Sequence, residues 1–138
     1  MKEFVLDCSA TLPWVFASEA TPETDAVLDL LAAGSKAWVP ALWHLELGNV
    51  LLGAQRKKRI DKAGIERFLS ALGVYDIEVD SETMGMAWSK TMGLAESFGL
   101  TVYDAAYLEL ALRRGIPLAT LDRPLRTAMQ AAGGGLLP

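Results

Sequence analysis

Four carboxylates stand where a solvated acid has least reason to be: Asp7, Glu46, Asp104 and Asp122. Asp7 follows the apolar run Phe4-Val5-Leu6, and Asp122 follows Pro117-Leu118-Ala119-Thr120-Leu121. Both fall at the carboxyl ends of short strands. Each has a hydroxyl two positions away, Ser9 after Asp7 and Thr120 before Asp122, which an extended chain turns to the same side. Asp104 lies in the stretch from Thr101 to Arg113. At about 100° per residue, Ala105, Tyr107, Leu108, Ala111 and Leu112 fan out on both sides of it, and Glu109 and Arg113 mark the opposite, wet face. Glu46 has Leu42, Trp43, Val50 and Ala54 around it on the wheel and is the only charged residue between Lys36 and Arg56. Asn49, three residues on, shares its face and is within reach of a hydrogen bond.

Each acid also has a plainer reading. Asp104 suits a capping acid three residues after Thr101, Asp122 an N-cap ahead of Arg123-Pro124, Asp7 an Asx-turn, and Glu46 a distant ion pair. Together they place four carboxylates near one edge of a sheet. Such a group repels itself and either protonates or takes up a cation. Oxygen donors favour Mg²⁺ or Mn²⁺ over zinc, whose thiolate and imidazole ligands are scarce in a chain with one Cys and one His. A cation held this way activates water and stabilises in-line displacement at phosphorus, so the pattern points to phosphodiester chemistry.

The elements that must position these groups alternate between strand and helix. Strands are expected at Glu3–Leu6, Ala37–Val39, Ile77–Val79 and Pro117–Leu121, with Leu136–Leu137 as an added edge. Helices are expected from Ala10 with Pro13 in the first turn, from the Thr21 cap to Gly34, over Leu42–Gln55, from the Asp61 cap to Leu72, from an Asp80 or Ser81 cap to Phe98, from Thr101 to Gly115, and from Asp122 onward. This alternation implies an α/β fold with a parallel sheet, whose ligands gather at the carboxyl ends of the strands.

The 138 residues, 51% of them hydrophobic and 22% charged, fit one domain over 1–138 and exclude an intrinsically disordered chain. One cysteine, Cys8, excludes an internal disulfide framework and favours a reducing cytoplasm. Glu3 and Asp7 interrupt any signal-peptide core, and the apolar run Ala37–Ala54 is broken by His44, Glu46 and Asn49, so no membrane association is expected. A net charge of −4 does not suggest a protein that coats nucleic acid non-specifically. Yet six of the thirteen Lys and Arg residues (Arg56, Lys57, Lys58, Arg59, Lys62 and Arg67) fall within twelve positions. The run Arg56-Lys57-Lys58-Arg59 either grips RNA phosphates or is a solvated helix C-terminus. The lone His44, expected on a helix surface, excludes catalysis by paired histidines. An aspartate-based phosphotransferase is disfavoured because Asp7-Cys8-Ser9 lacks a second acid. Trp14, Trp38, Trp43 and Trp88 are expected in the core, and Met84, Met86 and Met92 on a packed helix face.

At these residues the sequence resembles the PIN-domain family, most closely its VapC-like toxin ribonucleases. The resemblance runs through Phe4-Val5-Leu6-Asp7-Cys8-Ser9-Ala10, then Leu45-Glu46-Leu47-Gly48-Asn49-Val50-Leu51. It continues through Leu100-Thr101-Val102-Tyr103-Asp104-Ala105-Ala106-Tyr107-Leu108-Glu109-Leu110-Ala111 and ends at Leu118-Ala119-Thr120-Leu121-Asp122. It implies a three-layer α/β/α domain and Mg²⁺- or Mn²⁺-dependent RNA cleavage. By the same resemblance, Asp7 and Asp104 are the principal metal ligands, and Glu46 and Asp122 complete the acidic catalytic pocket. Ser9, Asn49 and Thr120 orient them. Homodimerisation and inhibition by a small cognate antitoxin are implied as well, with Trp14, Val15 and Phe16 as the leading partner surface. The alternative is a catalytically silent PIN-like module that binds RNA or protein.

Overall fold

The computed structural model describes residues 2–138. Strands β1 (Glu3–Leu6), β2 (Lys36–Val39), β3 (Ile77–Val79) and β4 (Leu118–Ala119) form one sheet in the order β3-β2-β1-β4, with every pairing parallel. Parallel neighbours need crossovers, and helices supply them. These are α1 (Cys8–Thr11), α2 (Pro22–Ala32), α3 (Leu42–Arg56), α4 (Lys62–Leu72), α5 (Thr83–Met86), α6 (Met92–Phe98), α7 (Val102–Arg114) and α8 (Arg123–Ala131). In β1, Phe4, Val5 and Leu6 are all fully buried, as in a sheet covered on both faces. The expected α/β/α architecture is therefore present, with Tyr107, Leu108 and Leu110 of α7 and Leu125 and Met129 of α8 completing the core.

Local chemistry fixes the helix ends. Thr21 and Thr24 form a reciprocal capping box at α2, Asp61 accepts from Gly64 N at α4, and Thr101 accepts from Asp104 N at α7. Helix α3 closes with Lys58 N donating to Gln55 O and Arg59 N to Ala54 O. This is a Schellman closure in which Lys58 takes the left-handed φ of 61° that glycine usually fills.

Several expectations need correction. The first helix is a single turn at Cys8–Thr11, and Pro13 sits in a following 3₁₀ turn, Leu12–Trp14. The last strand shrinks to Leu118–Ala119, and the edge beyond it is one bridge, Leu118 to Leu136. Trp43 is buried, but Trp88 is 91% exposed, and Met84 and Met92 are exposed with it. The cause is a π-helical turn, Ala87–Thr91, between α5 and α6. It buries Thr83, Thr91 and Ala95 and leaves Met84, Trp88 and Met92, four apart, along the outside. Trp14 and Val15 are half-buried, the Trp14 indole donating to Thr24 O, and Phe16 is buried beneath the Arg59 guanidinium.

The face of α7 assigned to water is not wet either. Glu109 is buried against Arg113, which also reaches Asp80 and Glu82. Asp80 does not act as a helix cap. Its side chain is fully buried and accepts from Thr83 Oγ1 at 2.7 Å, Arg113 Nη2 at 2.6 Å and Arg114 Nη2 at 2.8 Å. Burial alone would push this carboxyl up, but hydrogen bonds from Arg113, Thr83 and Arg114 outweigh it and hold the group well below the usual carboxylate range. Arg114 also stacks on Trp38. The cluster ties the end of β3 to the end of α7.

Candidate active site

The order β3-β2-β1-β4 reverses direction between β1 and β4. At such a switch point the connections leave the sheet on opposite sides and open a crevice at the carboxyl edge. Register pairs Val5 with Leu118 and Leu6 with Ala119, so Asp7 and Thr120 emerge side by side, with Asp7 N donating to Ala119 O at 3.0 Å.

The hydroxyls there have one consistent assignment of protons. Ser9 Oγ donates to Asp7 Oδ2 at 2.7 Å and accepts from Leu121 N at 2.9 Å. Thr120 Oγ1 donates to the same Asp7 oxygen at 2.7 Å and accepts from Asp122 N at 3.1 Å. Each hydroxyl therefore relays a backbone N–H onto Asp7. Asp122 caps α8 through Oδ2, which accepts from Leu125 N at 3.0 Å. The capping role weighed for it is real, and it holds this carboxylate at the edge.

Helices α3 and α7 bring the other two acids. Both Glu46 and Asp104 are half-buried. The Tyr107 hydroxyl donates to Glu46 Oε1, and Tyr107 itself is fully buried. Asn49 is exposed and plays no such part. Tyr107 was overlooked as a site residue, though a signal existed. A tyrosine in an apolar stripe needs a partner for its hydroxyl, and Glu46, a carboxylate in an apolar stripe of its own, needs a donor.

The four acids feel one another. Burial raises the Asp7 carboxyl and Asp122 adds to the rise, against hydrogen bonds from Thr120 and Ser9. Burial raises Glu46, with Asp7 and Asp104 adding to it against the Tyr107 bond. Burial raises Asp104, reinforced by Asp122 and Asp7. Cys8, behind the cluster, is pushed up to about 12 by burial and by Asp7 and Glu46, so it is an inert thiol. Among the described residues no three His, Cys, Asp or Glu side chains already stand close enough to close around an ion. The donors are nevertheless carboxylate and hydroxyl oxygens whose mutual repulsion a hard cation would relieve, and this set fits Mg²⁺ or Mn²⁺.

The basic run divides. Arg56, Lys57 and Lys58 are exposed, whereas Arg59 pairs with Glu19 at 3.0 Å and covers Phe16. His44 is exposed, as expected. The larger clefts, one of about 440 Å³ between α6 and α7 and another of about 420 Å³ between α3 and α4, lie away from the acids.

The sequence profile of the PIN domain matches residues 4–128, from the start of β1 into α8. The chain belongs to the PIN domain family. A search of curated proteins finds no match. Among solved structures, this PIN domain is similar to PAE2754 from Pyrobaculum aerophilum, with 26% identity over 92% of this chain and 84% of the other, at a TM-score of 0.68. It shares its fold with a chain of VapBC2 from Rickettsia felis, solved bound to a DNA fragment from their promoter, at 15% identity, covering 97% and 96%, with a TM-score of 0.66. It also shares it with a chain of a toxin–antitoxin complex from Klebsiella pneumoniae, at 17% identity, covering 86% and 85%, with a TM-score of 0.56. Among the described residues of the PIN domain, no helix is long and apolar enough to cross a membrane.

Proposed function

We propose that this PIN domain is a cytoplasmic endoribonuclease dependent on Mg²⁺ or Mn²⁺, the toxin of a toxin–antitoxin pair. The observation that supports this reading is the carboxyl edge at the switch point, where Asp7 and Asp122 flank the β1–β4 crevice and burial, with repulsion from neighbouring acids of this set, raises Asp7, Glu46 and Asp104. Asp7 and Asp104 would hold the cation, with Glu46 and Asp122 completing the pocket. The bound ion would supply an activated water and charge stabilisation at phosphorus. The chain's own contribution is orientation. Ser9 and Thr120 fix Asp7, the α8 cap fixes Asp122, and Tyr107 fixes Glu46. The half-burial of Glu46 and Asp104 excludes part of the surrounding water.

The structural relatives include toxin–antitoxin complexes, which supports a small antitoxin as partner. Homodimerisation is supported by the outward ridge of Met84, Trp88 and Met92. From two copies these side chains would bury on the order of 1,000 Å², the lower bound of a specific interface.

Metal titration tests the reading. Millimolar Mg²⁺ or Mn²⁺ should raise the Tm of the metal-free protein by several degrees, since about 2.7 kcal/mol accrues at a hundredfold excess over Kd, and should switch on RNA cleavage. RNA bound but left uncut with every metal identifies a silent module. Tyr107→Phe should cut activity about tenfold by freeing Glu46, with a stability cost of about 1 kcal/mol. Cleavage assays and urea titrations read the two effects, and an unchanged cleavage rate would remove Tyr107 from the site.

A further inference from the structure

Exposed cations gather at the turn between α3 and α4. Among the described residues, Arg56, Lys57, Lys58 and Lys62 pair with no carboxylate, whereas Arg59 is held by Glu19 and Arg113 and Arg114 by Asp80. The helix macrodipole accounts for Arg56, in the last turn of α3. It gives no reason for the residue type at Lys58, whose φ of 61° strains any side chain and suits glycine. What Lys58 adds over glycine is a charge.

Helix α3 joins this turn to the acids. Glu46 lies near its start and Lys57 just past its end, about 16 Å farther along the axis. A rotation of about 100° per residue brings Asn49, Val50, Gly53 and Lys57 to within about 60° of Glu46. The strip between them is open. Asn49 and Val50 are exposed, and a Cβ added at Gly53 would meet nothing within 4 Å. An uncharged track bearing one amide therefore runs from Glu46 to the basic turn. Beside the acids themselves, exposed Arg123 follows Asp122 and can answer one phosphate there.

A chain of phosphates suits this layout, because the acids repel charge close to them and the unpaired cations stand a fixed distance away. A span of about 16 Å holds about five phosphates at the 3.4 Å spacing of a stacked strand. We propose that an RNA strand held at the acidic cluster runs along the Glu46 face of α3 and is gripped at its far end by Lys57 and Lys58. RNA that reaches about five nucleotides past the acids then binds more tightly than shorter RNA. RNA as the ligand class rests on the ribonuclease reading, but grip at a distance is measurable without turnover.

Fluorescence anisotropy with labelled oligouridylates of graded length, from dinucleotide to dodecanucleotide, in Ca²⁺ in place of Mg²⁺, provides the test. Wild-type affinity should step up about tenfold once the length passes about five nucleotides. Lys57→Gln combined with Lys58→Gly should abolish the step and leave the shortest RNAs unaffected. It should also flatten the salt slope on the longest by about 1.4, the value for two lost single-strand contacts. Lys58→Gly alone should match or exceed the wild-type Tm, because glycine takes that φ freely, which separates lost grip from lost fold. No step in the wild type, or the same step in the double variant, overturns the proposal, as does a loss equal at every length. Loss of a co-purifying acidic protein with RNA affinity intact assigns the turn to protein docking and likewise overturns it. A step that depends on both lysines in a protein that cuts no RNA with Mg²⁺ or Mn²⁺ ends the nuclease reading and leaves the grip standing. Metal-dependent cleavage without any step does the reverse.

Discussion

Asp104→Asn is expected to slow metal-dependent RNA cleavage about 10³-fold, while raising rather than lowering the Tm of the metal-free protein. The rate follows from charge. Removing one carboxylate from the ion's shell forfeits several kcal/mol of transition-state stabilisation, and about 4 kcal/mol corresponds to 10³. The stability gain follows from linkage. Burial, together with Asp122 and Asp7, raises the Asp104 carboxyl in the folded state. Stability attached to a raised group is fully present below its unfolded pKa, near 4, and is lost as pH rises through the folded value. At pH 7 the wild type carries that loss, and Asn, of the same shape and still capped by Thr101, does not. The Tm advantage of the variant should shrink as pH falls toward 4, and added Mg²⁺ should stabilise it less than the wild type. Calorimetry across pH, paired with cleavage assays, checks each part, and undiminished cleavage would exclude Asp104 from the mechanism.

Asp80→Ala should lose about 3–5 kcal/mol of stability and about 10 °C or more in Tm. It leaves Arg113 and Arg114, whose side chains are 17% and 28% exposed, without their shared carboxylate, and Thr83 without its acceptor. The sign with pH is opposite to that of Asp104. A depressed carboxyl contributes stability above its unfolded pKa and loses it as pH falls through the folded value. The gap between wild type and variant should therefore be full at pH 7 and narrow only in strong acid. Urea titrations at pH 7 and pH 3 measure it; a loss under 1 kcal/mol at pH 7 would mean the cluster is bypassed.

These two residues also show what periodicity reveals and what it hides. Asp104 was legible because an acid inside an apolar stripe contradicts the wheel around it. Asp7 and Asp122 were legible because strand ends in a parallel sheet share one edge. Asp80 was not, since an acid after a strand and before a helix reads as a cap, and its two arginines lie more than thirty residues away. Glu109 failed for a related reason: a wheel tells which residues share a face, not whether that face meets water or another helix. Trp88 was misplaced because a π-helical turn shifts the register, which a fixed 100° rotation does not follow. Tyr107 was placed correctly in the core, but its hydroxyl partner sits on another helix.

Both hydroxyls that reach Asp7 arrive at the same oxygen, Oδ2, at equal distances of 2.7 Å. That atom is saturated, and Oδ1 receives neither of them. The carboxylate is thereby given a handedness: one oxygen anchored inward, the other left for outside work. Damage at Ser9 or Thr120 would thus leave the negative charge in place and cost the molecule its aim.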